Sequence, residues 1–332
     1  MVRWRGRRES DNVEDRRGES RPGGFPFPMG RGRRVRVPFP RGGRGGKRGG
    51  IGIVGLLVIV GLMLFFGIDP RVILQGGPQP TGRPDIQMPD IRLPGDTRPS
   101  TSPRTAGRAP VQAPKSRRDD ELKRFISVIL ADTEDVWHRL FKQIGRQYHE
   151  PTMVIFSGST RSGCGVGVAA MGPFYCPLDQ KLYIDLSFYK EMKSRFGAPG
   201  DFAQAYVIAH EVGHHVQTLL GIAEKVQRAK SRMSQRQGNA LQVRMELQAD
   251  CLAGVWAHLA DRAKQILEPG DIEEGLNAAS AIGDDAIQRR TQGHVVPDAF
   301  THGTSKQRVR WFKRGLDSGN IQQCDTFNAQ NL

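Results

Sequence analysis

The stretch that most constrains this chain is His210-Glu211-Val212-Gly213-His214, set inside residues 201–221. Its apolar spacing predicts one amphipathic helix, with Asp201 as N-cap, Gln204 as capping-box partner and Gly221 just past the end. At 3.6 residues per turn, His210 and His214 project from one face, one turn apart. Two imidazoles so placed can share one Zn²⁺, and Glu211 between them can reach a metal-bound water as general base.

Eight histidines in 332 residues leave room for such a motif to arise by chance. A second motif gives it weight. Residues 244–254 place Glu246 and Asp250 four apart on another predicted helix. A catalytic zinc site needs a third protein ligand, which Glu246 supplies as a carboxylate. A ligating imidazole also needs its other N–H held, a role that suits Asp250. The competing reading, a solvated acidic face, fits poorly with neighbours Leu247, Ala249, Cys251 and Leu252. These make the turn look buried, and buried carboxylates need partners.

The net charge of +15 invites a nucleic-acid reading, but residues 1–50 alone hold 15 Lys/Arg against 5 Asp/Glu. The body is only mildly basic, and no zinc-finger spacing or RRM-like aromatic signature is present, so no specific nucleic-acid partner is expected. Residues 1–48, rich in Arg, Gly and Pro, lack the apolar content for a core and are expected to form a disordered basic cytoplasmic tail. Residues 49–68 carry no charge, and twenty residues at 1.5 Å each match a bilayer core of about 30 Å. With basic residues before this run and Asp69 and Pro70 after it, the positive-inside rule predicts an uncleaved single-pass signal-anchor. The N-terminus would then be cytoplasmic and everything beyond residue 69 exported across a bacterial inner membrane. Residues 69–116 read as a Pro/Gly-rich tether, and residues 117–332 as the folded domain.

Within that domain, residues 120–144 have helical spacing, in two pieces around Asp132-Thr133. Residues 152–156 and 180–186 read as strands, with a Gly-rich loop and a further strand between them. A strand just upstream of the His210 helix suggests a clamp that takes an extended peptide by its main chain. Residues 271–290 read as one helix with Asp271 as N-cap. Four cysteines in an exported domain favour disulfides. Cys164 with Cys176, flanking one predicted hairpin, is the preferred pair, which leaves Cys251 with Cys324. An oxyanion formed during peptide hydrolysis needs a donor. His302, in a loop before a helix capped by Thr304 or Ser305, is the candidate, with His294 as rival. His138, His149, His215 and His258 read as structural or surface residues.

The segments His210–His214, Glu246–Asp250, Gly172-Pro-Phe-Tyr-Cys-Pro177 and Phe300-Thr-His-Gly-Thr304 together resemble the bacterial neutral zinc metallopeptidase family, whose members are membrane-anchored. The resemblance covers about residues 119–328. More distantly, the pattern is similar to that of the gluzincins. It implies an α+β, zincin-like fold with a small sheet packed on the active-site helix. It also implies one Zn²⁺ at His210, His214 and Glu246, with Glu211 as base and Asp250 behind the ligands. The Thr-His-Gly segment is similar to a Ser/Thr-His-Pro segment of membrane-linked gluzincins, with Gly303 in place of the proline. The expected function is a membrane-anchored zinc endopeptidase cutting envelope proteins or peptides through a zinc-activated water. The alternative is a catalytically silent zinc-binding module that binds envelope partners. Substrate identity and oligomeric state are not encoded in any of these motifs.

Overall fold

A computed structural model describes residues 2–19 and 117–332; the expected anchor at 49–68 and tether at 69–116 lie outside the described residues. The described residues form an α+β fold. Strands β1 (Val13–Asp15), β2 (Thr152–Phe156), β5 (Phe174–Cys176) and β6 (Lys181–Asp185) make a four-stranded sheet in the order β1-β2-β6-β5. The pairs β1–β2 and β2–β6 are parallel, whereas β5 runs antiparallel to β6. The two central strands read TMVIF and KLYID and are buried from their second residue onward. That is the run expected of parallel strands covered on both faces. A separate hairpin pairs β3 (Ser159–Ser162) with β4 (Gly165–Val168).

The helices are α1 (Arg117–Gln143), α2 (Phe188–Ser194), α3 (Asp201–Leu219), α4 (Ile222–Lys230), α5 (Gln235–Lys264), α6 (Asp271–Ala281), α7 (Asp284–Gln292) and α8 (Ser305–Ser318). Helices α3, α5 and α8 pack on one another around Tyr206, Phe202, Trp256 and Phe312, all fully buried. Each such ring taken from water contributes roughly 1.5–3 kcal/mol. Two glycines set how closely α5 and α8 approach. A Cβ on Gly254 would collide with the Phe312 carbonyl, and one on Gly315 with the Cys251 carbonyl.

Both disulfides form as the sequence suggests, Cys164–Cys176 and Cys251–Cys324. The second closes 73 residues and fastens the C-terminal segment to α5. Cross-linking a loop that long removes about 4 kcal/mol of denatured-state entropy.

Several expectations need correction. Residues 2–19 are not a disordered tail. They lie along α1 and supply the edge strand β1, held mainly by ion pairs and backbone bonds that a count of apolar residues does not see. Helix α1 is continuous through Asp132 and Thr133, because Thr133 bonds the Leu130 carbonyl and Asp132 pairs with Lys264 and Arg7. Gly200, not Asp201, is the N-cap of α3, and Gly270, not Asp271, that of α6. Gln204 reaches back to the Gly200 carbonyl at 3.1 Å. Residues 271–290 break at Ile282-Gly283 into α6 and α7. Gly221 does take the left-handed conformation after α3. Thr304 caps α8 with a full capping box to Gln307.

Candidate metal centre

Helix α3 carries His210, Glu211 and His214, and helix α5 crosses it at Gly213. A Cβ there would sit 3.0 Å from the Ala249 carbonyl oxygen, so glycine permits the close crossing that brings Glu246 to the histidines. His210 Nε2 and His214 Nε2 each lie 3.3 Å from Glu246 Oε2. His210, His214 and Glu246 each offer one ligand atom, all within 4.8 Å of one another.

The other ring nitrogens are occupied. His210 Nδ1 is 2.8 Å from Asp250 Oδ1, and His214 Nδ1 is 2.9 Å from Gln217 Oε1. Gln217 is itself fixed, donating to the Met245 carbonyl and to Gln248. Both Nε2 atoms therefore face the carboxylate with their tautomers set from behind. Two imidazoles and a carboxylate so arranged fit a zinc ion, the donor set of many hydrolytic zinc sites.

Asp250 is fully buried and is the hub behind the cradle. Arg308 of α8 reaches it twice, Nε to Oδ2 at 2.9 Å and Nη2 to Oδ1 at 2.8 Å, while Tyr206 donates its hydroxyl at 2.6 Å. Burial would raise the Asp250 carboxyl, but Arg308 and His210 outweigh it and hold the carboxyl at about 2. Arg308 and Tyr206 were missed from sequence. A signal existed for the arginine: Arg308, Trp311, Phe312 and Gly315 form the buried stripe of α8. Gln217, three residues past His214, had no distinguishing mark.

Glu211 faces a cleft of about 380 Å³ that it shares with His210, His214, Glu246, His302 and Arg308. Burial pushes its carboxyl above the ordinary range. His302 stands at this cleft, half exposed, with Nδ1 3.1 Å from Asp284 Oδ1. Asp284 grips the loop as well, accepting the backbone N–H groups of Thr301 and His302 at 2.6 Å and of Gly303 at 3.2 Å. Sequence reading passed over Asp284, whose place at the start of α7 appears only once the 271–290 helix is seen to break. His294 is exposed, bonds the Gln292 carbonyl and does not line the cleft. His215 is buried and turned away, between Tyr175 and the His149 carbonyl.

The remaining lining is mostly apolar and includes Met171, Pro173, Phe174, Phe188, Ile282 and Ile287. Strand β5, an edge of the sheet, contributes Phe174 and Tyr175. The strand expected to act as a clamp, β6, is interior with both sides paired, so the edge beside the cleft is β5. A second cavity of about 480 Å³, lined by Trp137, Leu220 and Phe327 among others, includes none of the metal-binding group.

A His–His–Glu group beside a cleft is the kind of site that zinc-binding proteins carry. The chain belongs to the family described as "Putative neutral zinc metallopeptidase", whose profile matches residues 2–327. Among its relatives, the uncharacterized protein YpfJ of Escherichia coli strain K12 is 49% identical over 326 residues, covering 98% of this chain and 99% of the relative. The uncharacterized protein Rv2575 of Mycobacterium tuberculosis strain H37Rv is 41% identical over 227 residues, covering 65% and 75% respectively. No solved structure matches the chain.

Proposed function

We propose that the protein is a zinc-dependent endopeptidase, attached to a bacterial membrane through residues 49–68, that cuts proteins or peptides. The observation that carries this reading is the convergence of His210 Nε2, His214 Nε2 and Glu246 Oε2 in the same cleft as Glu211. When bound, zinc supplies Lewis-acid polarisation and a water acidified towards neutral pH.

The chain's own residues do the rest. Asp250, held by Arg308 and Tyr206, keeps the His210 ring in its ligating tautomer. Glu211, raised by burial, accepts the proton lost by the attacking water and returns it to the leaving amine. The Asp284 carboxylate, bonded to its ring, and Glu246 hold the His302 imidazole above its ordinary value. At the cleft beside Glu211, it is a donor suited to the oxyanion. The edge strand β5, which lines the cleft, is suited to align an extended peptide by main-chain bonds. The apolar walls at Phe188, Ile282 and Ile287 favour large apolar side chains beside the scissile bond.

The test uses the full chain with casein and a set of peptides. Cleavage should vanish on chelation, return with Zn²⁺, and occur beside apolar residues. The Glu211→Gln variant should keep its zinc while losing about 10²–10⁴-fold in rate. Wild-type rates in that variant would sink the mechanism. A zinc-loaded wild-type chain that cuts no peptide would instead favour the silent binding module.

A further inference from the structure

The N-terminal arm, residues 2–19, is built into the metallopeptidase domain rather than lying beside it. The Val2 side chain is 3% exposed, and its N–H donates to Asp201 Oδ2 at 2.9 Å in the first turn of the active-site helix α3. The Arg3 N–H bonds the Ile266 carbonyl, and Trp4 packs edge-on against Phe125 of α1 with centroids 5.8 Å apart. Further on, Ser10 N–H bonds the Ser127 carbonyl at 3.0 Å. The arm ends as β1, where the Met153 N–H donates to the Asn12 carbonyl and the Arg16 N–H to the Ile155 carbonyl.

The charges are matched as closely as the backbone. Glu134 of α1 is 3% exposed, and its carboxylate accepts from Ser10 Oγ at 2.5 Å, Asn12 Nδ2 at 3.0 Å and Arg8 Nη1 at 2.9 Å. All three donors come from the arm. Asp132, 2% exposed, pairs with Arg7 of the arm and Lys264 of α5. Buried carboxylates need partners, and residues 7–12 supply them here. Lys181 of β6 in turn pairs with Glu14 at 2.9 Å.

These contacts conflict with the topology expected from hydropathy and charge. A single crossing by residues 49–68 would leave the arm on one face of a bilayer about 30 Å thick and the domain on the other. Hydrogen bonds between β1 and β2, and ion pairs to Glu134 and Asp132, cannot form across that distance. We infer that residues 2–19 and 117–332 occupy the same side of the membrane as one folded unit, which excludes a single crossing between them. The inference rests on the arm's contacts alone and is independent of the peptidase reading.

Site-directed labelling of the full chain in native membranes tests it. All four native cysteines are paired, so an impermeant maleimide has no thiol to find in the wild type. Single cysteines go in at exposed positions, Glu9→Cys in the arm and Asp317→Cys in α8. Each variant is labelled in right-side-out and in inside-out vesicles. Both should label in the same vesicle orientation, and labelling in opposite orientations would overturn the inference. A third variant, Ser10→Cys, at a position 6% exposed, reports docking itself. It should label at least tenfold more slowly than Glu9→Cys until urea is added. Equal rates without urea would show that the arm is undocked in the full chain and would equally overturn the proposal.

Discussion

The metal cradle and the arm's berth on α1 are built from the same materials, buried carboxylates held by cations and hydrogen-bond donors. Asp250 is gripped by Arg308, Tyr206 and His210. Glu134 is gripped by Arg8, Ser10 and Asn12. Yet the cradle offers three ligand atoms with one side left for chemistry, whereas the berth uses its groups on one another. What separates a site from a joint here is the face that stays open, since burial and charge pairing are common to both.

The sharpest way to break that comparison is to empty each hub in turn. Arg308→Met leaves the fully buried Asp250 without its main counter-charge, so a loss of about 3–5 kcal/mol in stability is expected. Zinc affinity should fall roughly 10–100-fold as His210 loses its orientation. Thermal unfolding and zinc titration of the full chain check both. An unaltered zinc affinity would remove Asp250 and Arg308 from any role behind the metal.

A smaller effect concerns pH. Burial pushes the His215 imidazole down to about 4 from an ordinary 6.5. The folded state thus excludes a proton that the unfolded chain takes up. Its contribution is fully present above pH 6.5 and is lost progressively as pH falls towards 4, up to on the order of 3 kcal/mol. Denaturant unfolding of wild type and His215→Gln across that window should show a steeper acid loss in the wild type. Parallel curves would rule out His215 as the cause.

The mildest test lies at the berth. Glu134→Gln keeps the shape but weakens the bonds to Arg8, Ser10 and Asn12, for a loss of about 1–3 kcal/mol. Zinc affinity should be unchanged, which a chelator competition on the same variant measures. A fall in zinc affinity as large as that of Arg308→Met would merge the two regions into one functional unit.

The cradle was legible because helical periodicity is local. His210, Glu211 and His214 declare one face of α3, and Glu246 with Asp250 repeats the spacing on α5. The Cys164–Cys176 pair, flanking one hairpin, was readable for a similar reason, and with four cysteines it left Cys251 to Cys324. The arm was not legible, because its partners lie more than a hundred residues away and its composition suggests disorder until Glu134 and Asp132 are placed beneath it. Asp284 and Gln217 belong to the same class. Each is an ordinary polar residue whose role depends on which loop or helix lies opposite. Arg308 stands between, since its place on the buried stripe of α8 was visible while its partner was not.

The most direct test of the central claim is metal analysis of the full chain beside its Glu246→Ala and Glu211→Gln variants, with peptide cleavage read on the same preparations. One zinc per wild-type chain is predicted, with near-complete loss of zinc and cleavage in Glu246→Ala, and with full zinc but no cleavage in Glu211→Gln. Full zinc retention in Glu246→Ala, or wild-type cleavage by Glu211→Gln, would contradict the account.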